Sequence, residues 1–481
     1  MPQPSIPFAL AEYSYELSDA GLIRGGPTAL PSEASWQASK EYYINDERIA
    51  DSFGRRLSPI LSDWLDVALA SYLADRLSPR VGLHPSRKFR NWRRVINLRI
   101  PVRRLEIWKR SEVTNSLTSL LQFFTDDLWK ITFVRRRASG RLAESHNFLF
   151  SNPLPTPVRV ALFSGGLDSF CGAASQMADF PGDSFVFVSG VTNRRQRSAQ
   201  REQIKAISRQ SRGTEVCHVI IPFGLNWHGK ASRGAAEEPS QRSRGFLFLT
   251  LGAVTAIAAS ASELSIFENG IGAINLPYDA SQISAANSRG VHPVALLRMG
   301  DFVKLLRDEE FLFQSPFLFS TKGEMCRHPA VQSLSAYLPR TFSCDGFPVQ
   351  VKNKPQCGSC TSCILRRLSL YSAGLSTFDP SGAYVADLLT CGSNPSDRQL
   401  THLRVMEWQY EKIRRLLNSK SPWLNLIIEF PELRNISAEL SSRGRTSQVE
   451  IRRSLLKLYS QYVAEWDGFS ARGLLLRNRA A

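Results

Sequence analysis

Six residues constrain this chain more than any others: Ser164-Gly165-Gly166-Leu167-Asp168-Ser169, set directly after the apolar run Val158–Phe163. The run reads as a short strand. The small residues that follow make a turn, and Asp168 to Met177 is helical in pattern. The unit is therefore strand–loop–helix. Gly165 and Gly166 put no side chain between the backbone and a ligand, so loop N–H groups and the hydroxyls of Ser164 and Ser169 can close on a phosphate. The helix aims the positive end of its dipole at the same place.

The chain has 481 residues, which suggests about two to four domains. Hydrophobic residues make up 43%, enough for buried cores. Met1–Leu10 holds Pro2, Pro4 and Pro7 and no apolar core, so it does not read as a secretory signal. The longest uncharged stretch, Phe246–Ser262, falls short of a membrane span and reads as a buried helix. Eight cysteines in so long a chain do not suggest a disulfide framework, and a reducing cytoplasm is expected. The net charge of +17 favours an acidic partner, either nucleic acid or an acidic protein.

Residues 1–45 read as irregular, dominated by Pro, Ser, Gly and Ala. Ser58 and Pro59 then open a helix whose apolar positions include Leu61, Trp64, Leu65, Ala68 and Leu69. Arg87–Arg110 is strongly basic, with Glu106 as its one acid. Within it Ile96, Leu98, Ile100 and Val102 alternate as in a strand, and Pro101 argues for a sheet edge. A helix near 115–124 and a strand at 128–134 complete an expected N-terminal α+β domain, residues 1–150, with a basic face. Pro153, Pro155 and Pro157 mark a linker. Beyond it, short apolar runs at 158–163, 184–188, 216–221 and 264–267 alternate with helices near 168–178, 195–210 and 243–261. That order predicts an α/β fold with a doubly wound parallel sheet over 157–380. Ligands bind such sheets at the carboxyl ends of strands, where Ser164–Ser169 falls. Residues 381–481 read as a helical extension broken at Pro422 and Pro431.

A second signal is Cys344 followed by Cys357-Gly358-Ser359-Cys360-Thr361-Ser362-Cys363. Three thiolates on one tight turn and a fourth from an earlier segment make a closed tetrahedral zinc set, with no open catalytic position. An iron–sulfur cluster is the other group such a set can hold. Cys171, Cys217, Cys326 and Cys391 lack this spacing and read as core residues. The stretch Gly224–Lys230 has the G-x4-G-K start of another phosphate loop. Ala231 stands where a magnesium-binding hydroxyl is required, so a surface loop is expected.

Ser164–Ser169 resembles the PP-loop of ATP pyrophosphatases. The resemblance implies that Phe163 to Ser169 hold ATP, with Mg2+, as it is cleaved to AMP and pyrophosphate, and that Ser164, Asp168 and Ser169 serve the chemistry. Together with the cysteines, the chain from about Val158 to Leu375 resembles the 7-cyano-7-deazaguanine synthase (QueC) family. The tracts that carry this are Phe163–Ser169, Gln196-Arg197, Arg244–Leu251, Thr321–Glu324 and Cys357–Arg366. The family implies a PP-loop fold with a Zn2+ site at Cys344, Cys357, Cys360 and Cys363. It also implies ATP-dependent activation of the carboxylate of 7-carboxy-7-deazaguanine, with Lys322 and Arg244 near the phosphates. The family's base-holding tract has no copy here, and Glu268–Pro277 stands in its place. The long layout is similar to QueC-like members of bacterial anti-phage systems (Qat and type IV CBASS). Those imply transfer of the activated carboxylate to the amine of a partner protein of the same defence operon. Ordinary nitrile synthesis from ammonia, tRNA modification by a PP-loop enzyme and an inactive nucleotide-binding scaffold are the alternatives. No membrane partner is expected.

Overall fold

The computed structural model describes residues 10–471, apart from residues 20, 30–37, 81–92, 212, 228–236, 239, 279–288, 347–353, 389–394 and 445. Its strands are β1 (Ala11–Leu17), β2 (Leu22–Ala29), β3 (Ala38–Ile44), β4 (Arg94–Val102), β5 (Leu128–Arg135), β6 (Val158–Leu162), β7 (Ser184–Val191), β8 (Val216–Trp227), β9 (Glu263–Ile266) and β10 (Leu312–Gln314). They form one ten-stranded sheet in the order β10-β9-β6-β7-β8-β3-β2-β1-β4-β5. The five strands from β10 to β8 are parallel, whereas β3 joins β8 antiparallel, so the sheet is mixed.

The N-terminal stretch is not irregular, because it supplies β1, β2 and β3. Tyr13, Tyr15 and Leu17 are buried and alternate with Ser14 and Glu16, a strand signal too short to stand out among the neighbouring Gly and Pro. Gly25 is required where β2 crosses β1: its φ is +143°, and a Cβ would stand 1.9 Å from the Ser14 carbonyl oxygen. Nor is β4 an edge, since it lies between β1 and β5. Pro101 is tolerated there because pairing with β1 ends at Arg99. Helices α1 (Glu47–Phe53), α2 (Pro59–Arg76), α3 (Leu105–Trp108), α4 (Ser111–Thr125) and α5 (Leu142–Ser145) accompany these strands. On the open face Arg24, Arg99 and Lys130 are exposed, with Arg99 paired to Glu16.

A buried ionic network fixes this part to the rest. Arg94 lies between Asp75 (2.6 Å) and Asp127, and Asp127 also takes Arg80 at 2.9 Å. Asp75 in turn accepts from the Ser243 N–H and hydroxyl at 2.9 and 2.7 Å, where the next long helix begins. Asp127→Ala leaves two buried guanidinium groups short of a partner. It is expected to destabilise the fold by about 3–5 kcal/mol, read by urea unfolding.

The helices that follow are α6 (Leu167–Asp179), α7 (Arg194–Gln210), α8 (Arg244–Ala258), α9 (Gly270–Ile274), α10 (Pro293–Arg307), α11 (Lys322–Cys326), α12 (Pro329–Ser333) and α13 (Thr361–Ser372). Side-chain alternation along the strands divides them between two faces. Val160, Val186, Val188 and Leu264 share a core with α8 and α10. Ala161, Phe163, Phe185 and Phe187 share another with α6, α7 and α12. Chain order reverses between the neighbours β6 and β9: β6 is followed by β7 on one side, β9 by β10 on the other. At such a point the loops diverge and a crevice opens beyond the carboxyl ends.

Pro422 and Pro431 each begin a helix in the C-terminal extension, which comprises α14 (Asp397–Leu417), α15 (Pro422–Glu429), α16 (Pro431–Arg443) and α17 (Gln448–Ala471). Their common core takes in Ile274 and Leu276 beyond β9, and Ile364 and Leu368 of α13. Among the described residues, no helix is long and apolar enough to cross a membrane.

Candidate active site and metal centre

The loop after β6 is built as its sequence predicts. Gly165 adopts φ +83° and Gly166 is the N-cap of α6. The Ser169 hydroxyl accepts from the Gly165 N–H at 3.1 Å and lies 3.1 Å from the Ser164 hydroxyl. The Gly166 N–H donates to Ser164 Oγ at 3.2 Å. The loop's carbonyls are held from behind. Gln200 donates to Ser164 O (2.9 Å) and Gln203 to Gly165 O (3.1 Å), while Ser189 Oγ donates to Phe163 O (2.7 Å). With its carbonyls anchored, the loop keeps its hydroxyls and the α6 N-terminus on one side, an arrangement suited to an anion. Gln200 and Gln203 were not singled out from the sequence. Their signal is two buried amides three residues apart on one face of an otherwise basic helix.

Asp168 is buried beyond the carboxyl ends of β6 and β9. Its Oδ2 pairs with Lys322 Nζ at 2.7 Å, and its Oδ1 accepts from Asn269 Nδ2 at 3.1 Å. Lys322 is only 5% exposed and opens α11, where Thr321 and Glu324 form a capping box. Burial alone would lower the Lys322 pKa, but the charge of Asp168 beside it outweighs burial and holds the ammonium charged. The carboxyl of Glu268 is raised to about 8, first by burial and then by the charge of Asp168. Asn269 donates to Glu268 Oε1 at 2.8 Å and caps α9 through Gly272 N. The structure thus adds Glu268 and Asn269 to the expected residues. Their only sequence signal is an acid and an amide directly after a strand at the switch point.

Because the folded pKa of Glu268 is raised, the native protein keeps a proton that the unfolded chain releases near its ordinary 4.5. The stability from this group is full below that value and is lost as pH rises towards about 8. Glu268→Gln is expected to flatten that decline, which thermal unfolding across this pH range would show.

Arg244 does not join the cluster. It lies over the Phe248 ring at 5.1 Å and enters none of the contacts described for the loop. In the rival stretch, Gly224–Trp227 belongs to β8 and pairs with β3, while 228–231 lie outside the described residues.

The thiols of Cys344, Cys357, Cys360 and Cys363 come together with all four sulfurs within 4.8 Å of one another. One ion with metal–sulfur bonds of about 2.3 Å fits between them. Gly358 makes the turn at φ +82°, where a Cβ would meet Ala386 O at 1.9 Å. The Cys357 and Cys360 N–H groups point at Cys344 Sγ and Cys357 Sγ (3.3 and 3.4 Å). Cys171 and Cys326 are buried in the core as expected, Cys217 is half-buried, and Cys391 lies outside the described residues.

The two centres are joined. Buried Arg366, one turn beyond Cys363, donates to Thr341 Oγ1 (2.6 Å) and Leu338 O (2.9 Å). The segment it holds reaches the Ser164–Ser169 loop: Phe342 N–H donates to Gly165 O at 3.2 Å, and Ser343 Oγ accepts from Leu167 N at 3.4 Å. No protein-family model matches the chain, and no curated protein matches it.

Proposed function

We propose that this chain is an ATP-dependent ligase of the PP-loop type. In this reading it activates the carboxylate of a 7-deazaguanine as an adenylate and passes it to an amine, with a protein amine as acceptor in an anti-phage system. The observation that carries the reading is the cluster of side chains beyond the carboxyl ends of β6 and β9, at the switch point of the sheet. There the Ser164–Ser169 loop meets buried Lys322 and a segment braced by four cysteines.

ATP supplies the activation, turning a poor leaving oxygen into AMP. The chain's own groups do the rest. The two hydroxyls and the α6 dipole would receive the phosphates, which would also take over the Gly165 and Gly166 N–H groups that now donate to those hydroxyls. Asp168 keeps Lys322 charged and aimed, and Asn269 keeps Asp168 in place. Asp168 is also the carboxylate best placed to approach Mg2+. Four thiolates with N–H groups directed at two of the sulfurs suit Zn2+ in a closed, structural site. Glu268, largely protonated near neutral pH, adds little negative charge where the adenylate forms. The test is incubation with ATP, magnesium and 7-carboxy-7-deazaguanine, with and without candidate partner proteins. AMP and a mass gain of one deazaguanine acyl group on a partner are expected. Absence of AMP under every condition overturns the reading, and a free nitrile shifts the acceptor to ammonia.

A further inference from the structure

A second site lies on the other flank of α7. Pairing of β8 with β3 begins at Phe223, which leaves Val216–Ile221 without a strand partner on that side among the described residues. Between this free edge, α1 and α7 is a cavity of about 330 Å³. Arg48 and Ser52 of α1 form one wall, Arg197, Arg201 and Lys205 of α7 the other, and His218 lies on the floor. None of the described residues that line it is acidic.

The charges here work against the fold. The first turn of α7 carries Arg194, Arg195 and Arg197 and no acid, although a helix N-terminus is already positive. Arg197, Arg201 and Lys205 follow at four-residue spacing, where like charges destabilise a helix. The nearest acid on the helix, Glu202, is turned away to Arg340 at 3.1 Å. Arg197 Nε is buried with no hydrogen-bond partner. Arg201 and Arg48 depress its pKa, a sign of mutual repulsion. His218 adds no charge: burial and Arg201 lower it to about 4, and its Nε2 is engaged by Ser189 Oγ at 2.9 Å. Sequences that break several local rules at one place do so at functional sites.

We propose that this cavity binds the sugar–phosphate backbone of single-stranded nucleic acid. One phosphate needs one or two cations, but here three stand in line about 6 Å apart along the helix axis, with Arg48 facing them. A run of phosphodiesters can follow such a row, and the net charge of +17 favours it at longer range. The α7 face beside it carries Gln200 and Gln203, which hold the loop after β6, so a bound strand would lie next to the ligase site. The site does not depend on the loop's using ATP.

The test is fluorescence anisotropy of a labelled oligothymidylate on the full chain over a range of salt. Arg201→Glu/Lys205→Glu changes two exposed residues, so the fold should remain, as circular dichroism would verify. Arg398→Glu/Arg434→Glu makes the same change of net charge on the C-terminal helices. The first variant is expected to weaken binding at least tenfold and to reduce the slope of log affinity against log salt by about 1.4, or about 0.7 per lost phosphate. The second should leave the slope alone. The proposal is overturned by an unchanged slope in the first variant, by equal losses in both, or by no oligonucleotide binding to the wild type. Tighter binding of polyglutamate than of the oligonucleotide would also overturn it, in favour of an acidic protein.

Discussion

Cys360→Ser is expected to release the metal and to end AMP formation, although Cys360 is no part of the Ser164–Ser169 loop. Structural zinc contributes on the order of 10 kcal/mol of coupled binding and folding energy at neutral pH, more than any single core side chain. Cys360 is the N-cap of α13 and Cys363 lies in its first turn, so losing the ion loosens the start of that helix. Arg366 then loses its fixed position, and with it goes the grip on Leu338 O and Thr341. The next groups freed are Phe342 N–H and Ser343 Oγ, which brace Gly165 and Leu167. Metal analysis should find one zinc per wild-type chain and almost none in the variant. Amide exchange should quicken at Phe342 and Leu167 before it quickens in β7. A variant that lost its metal and still released AMP at the wild-type rate would break this chain of contacts. Iron in the wild type would replace the zinc assignment.

Local signals in the sequence carried the loop and the cysteine turn, because their geometry is set within a few residues. Gly165 and Gly166 follow a strand directly, and the knuckle from Cys357 to Cys363 closes on itself. The alternation of runs and helices from Val158 to Ile266 was equally plain, since parallel strands buried on both faces are almost continuously apolar. What stayed hidden depends on distance along the chain. Asn269 meets Asp168 across 101 residues, and nothing near Asn269 marks it as more than a helix cap. Gln200 and Gln203 matter only because α7 packs behind the loop. Strands β1 to β3 were missed because their alternation is brief and Gly25 and Pro27 interrupt it, while the outer partners of β1 and β3 lie far along the chain in β4 and β8. Of the two cations that the resemblance sets near the phosphates, Lys322 pairs with Asp168 of the loop, whereas Arg244 lies over Phe248.

Lys322→Met is expected to stop AMP release and also to destabilise the fold, and the two effects can be separated. Asp168 is 9% exposed, and without Lys322 its carboxylate keeps Asn269 alone as a partner. An uncompensated buried charge costs about 3–5 kcal/mol, so the single variant should melt early. Asp168→Asn leaves Lys322 beside Glu268, whose carboxyl should then drop below about 8 and take over as counter-charge. Asp168→Asn/Lys322→Met removes both charges and should recover part of the lost stability, with a coupling energy of about 1–3 kcal/mol in the double-mutant cycle. Activity should not recover with it. A preorganised charge at a site of developing negative charge is worth about 100–1,000-fold in rate, and the double variant still lacks it. Unfolding curves and AMP release on the same four proteins decide the matter. If the double variant melts like the wild type and also releases AMP like it, Lys322 is a counter-ion for Asp168 and nothing more. If stability returns while AMP release stays lost, and Asp168→Asn alone keeps more AMP release than the double variant, the reaction uses the charge of Lys322.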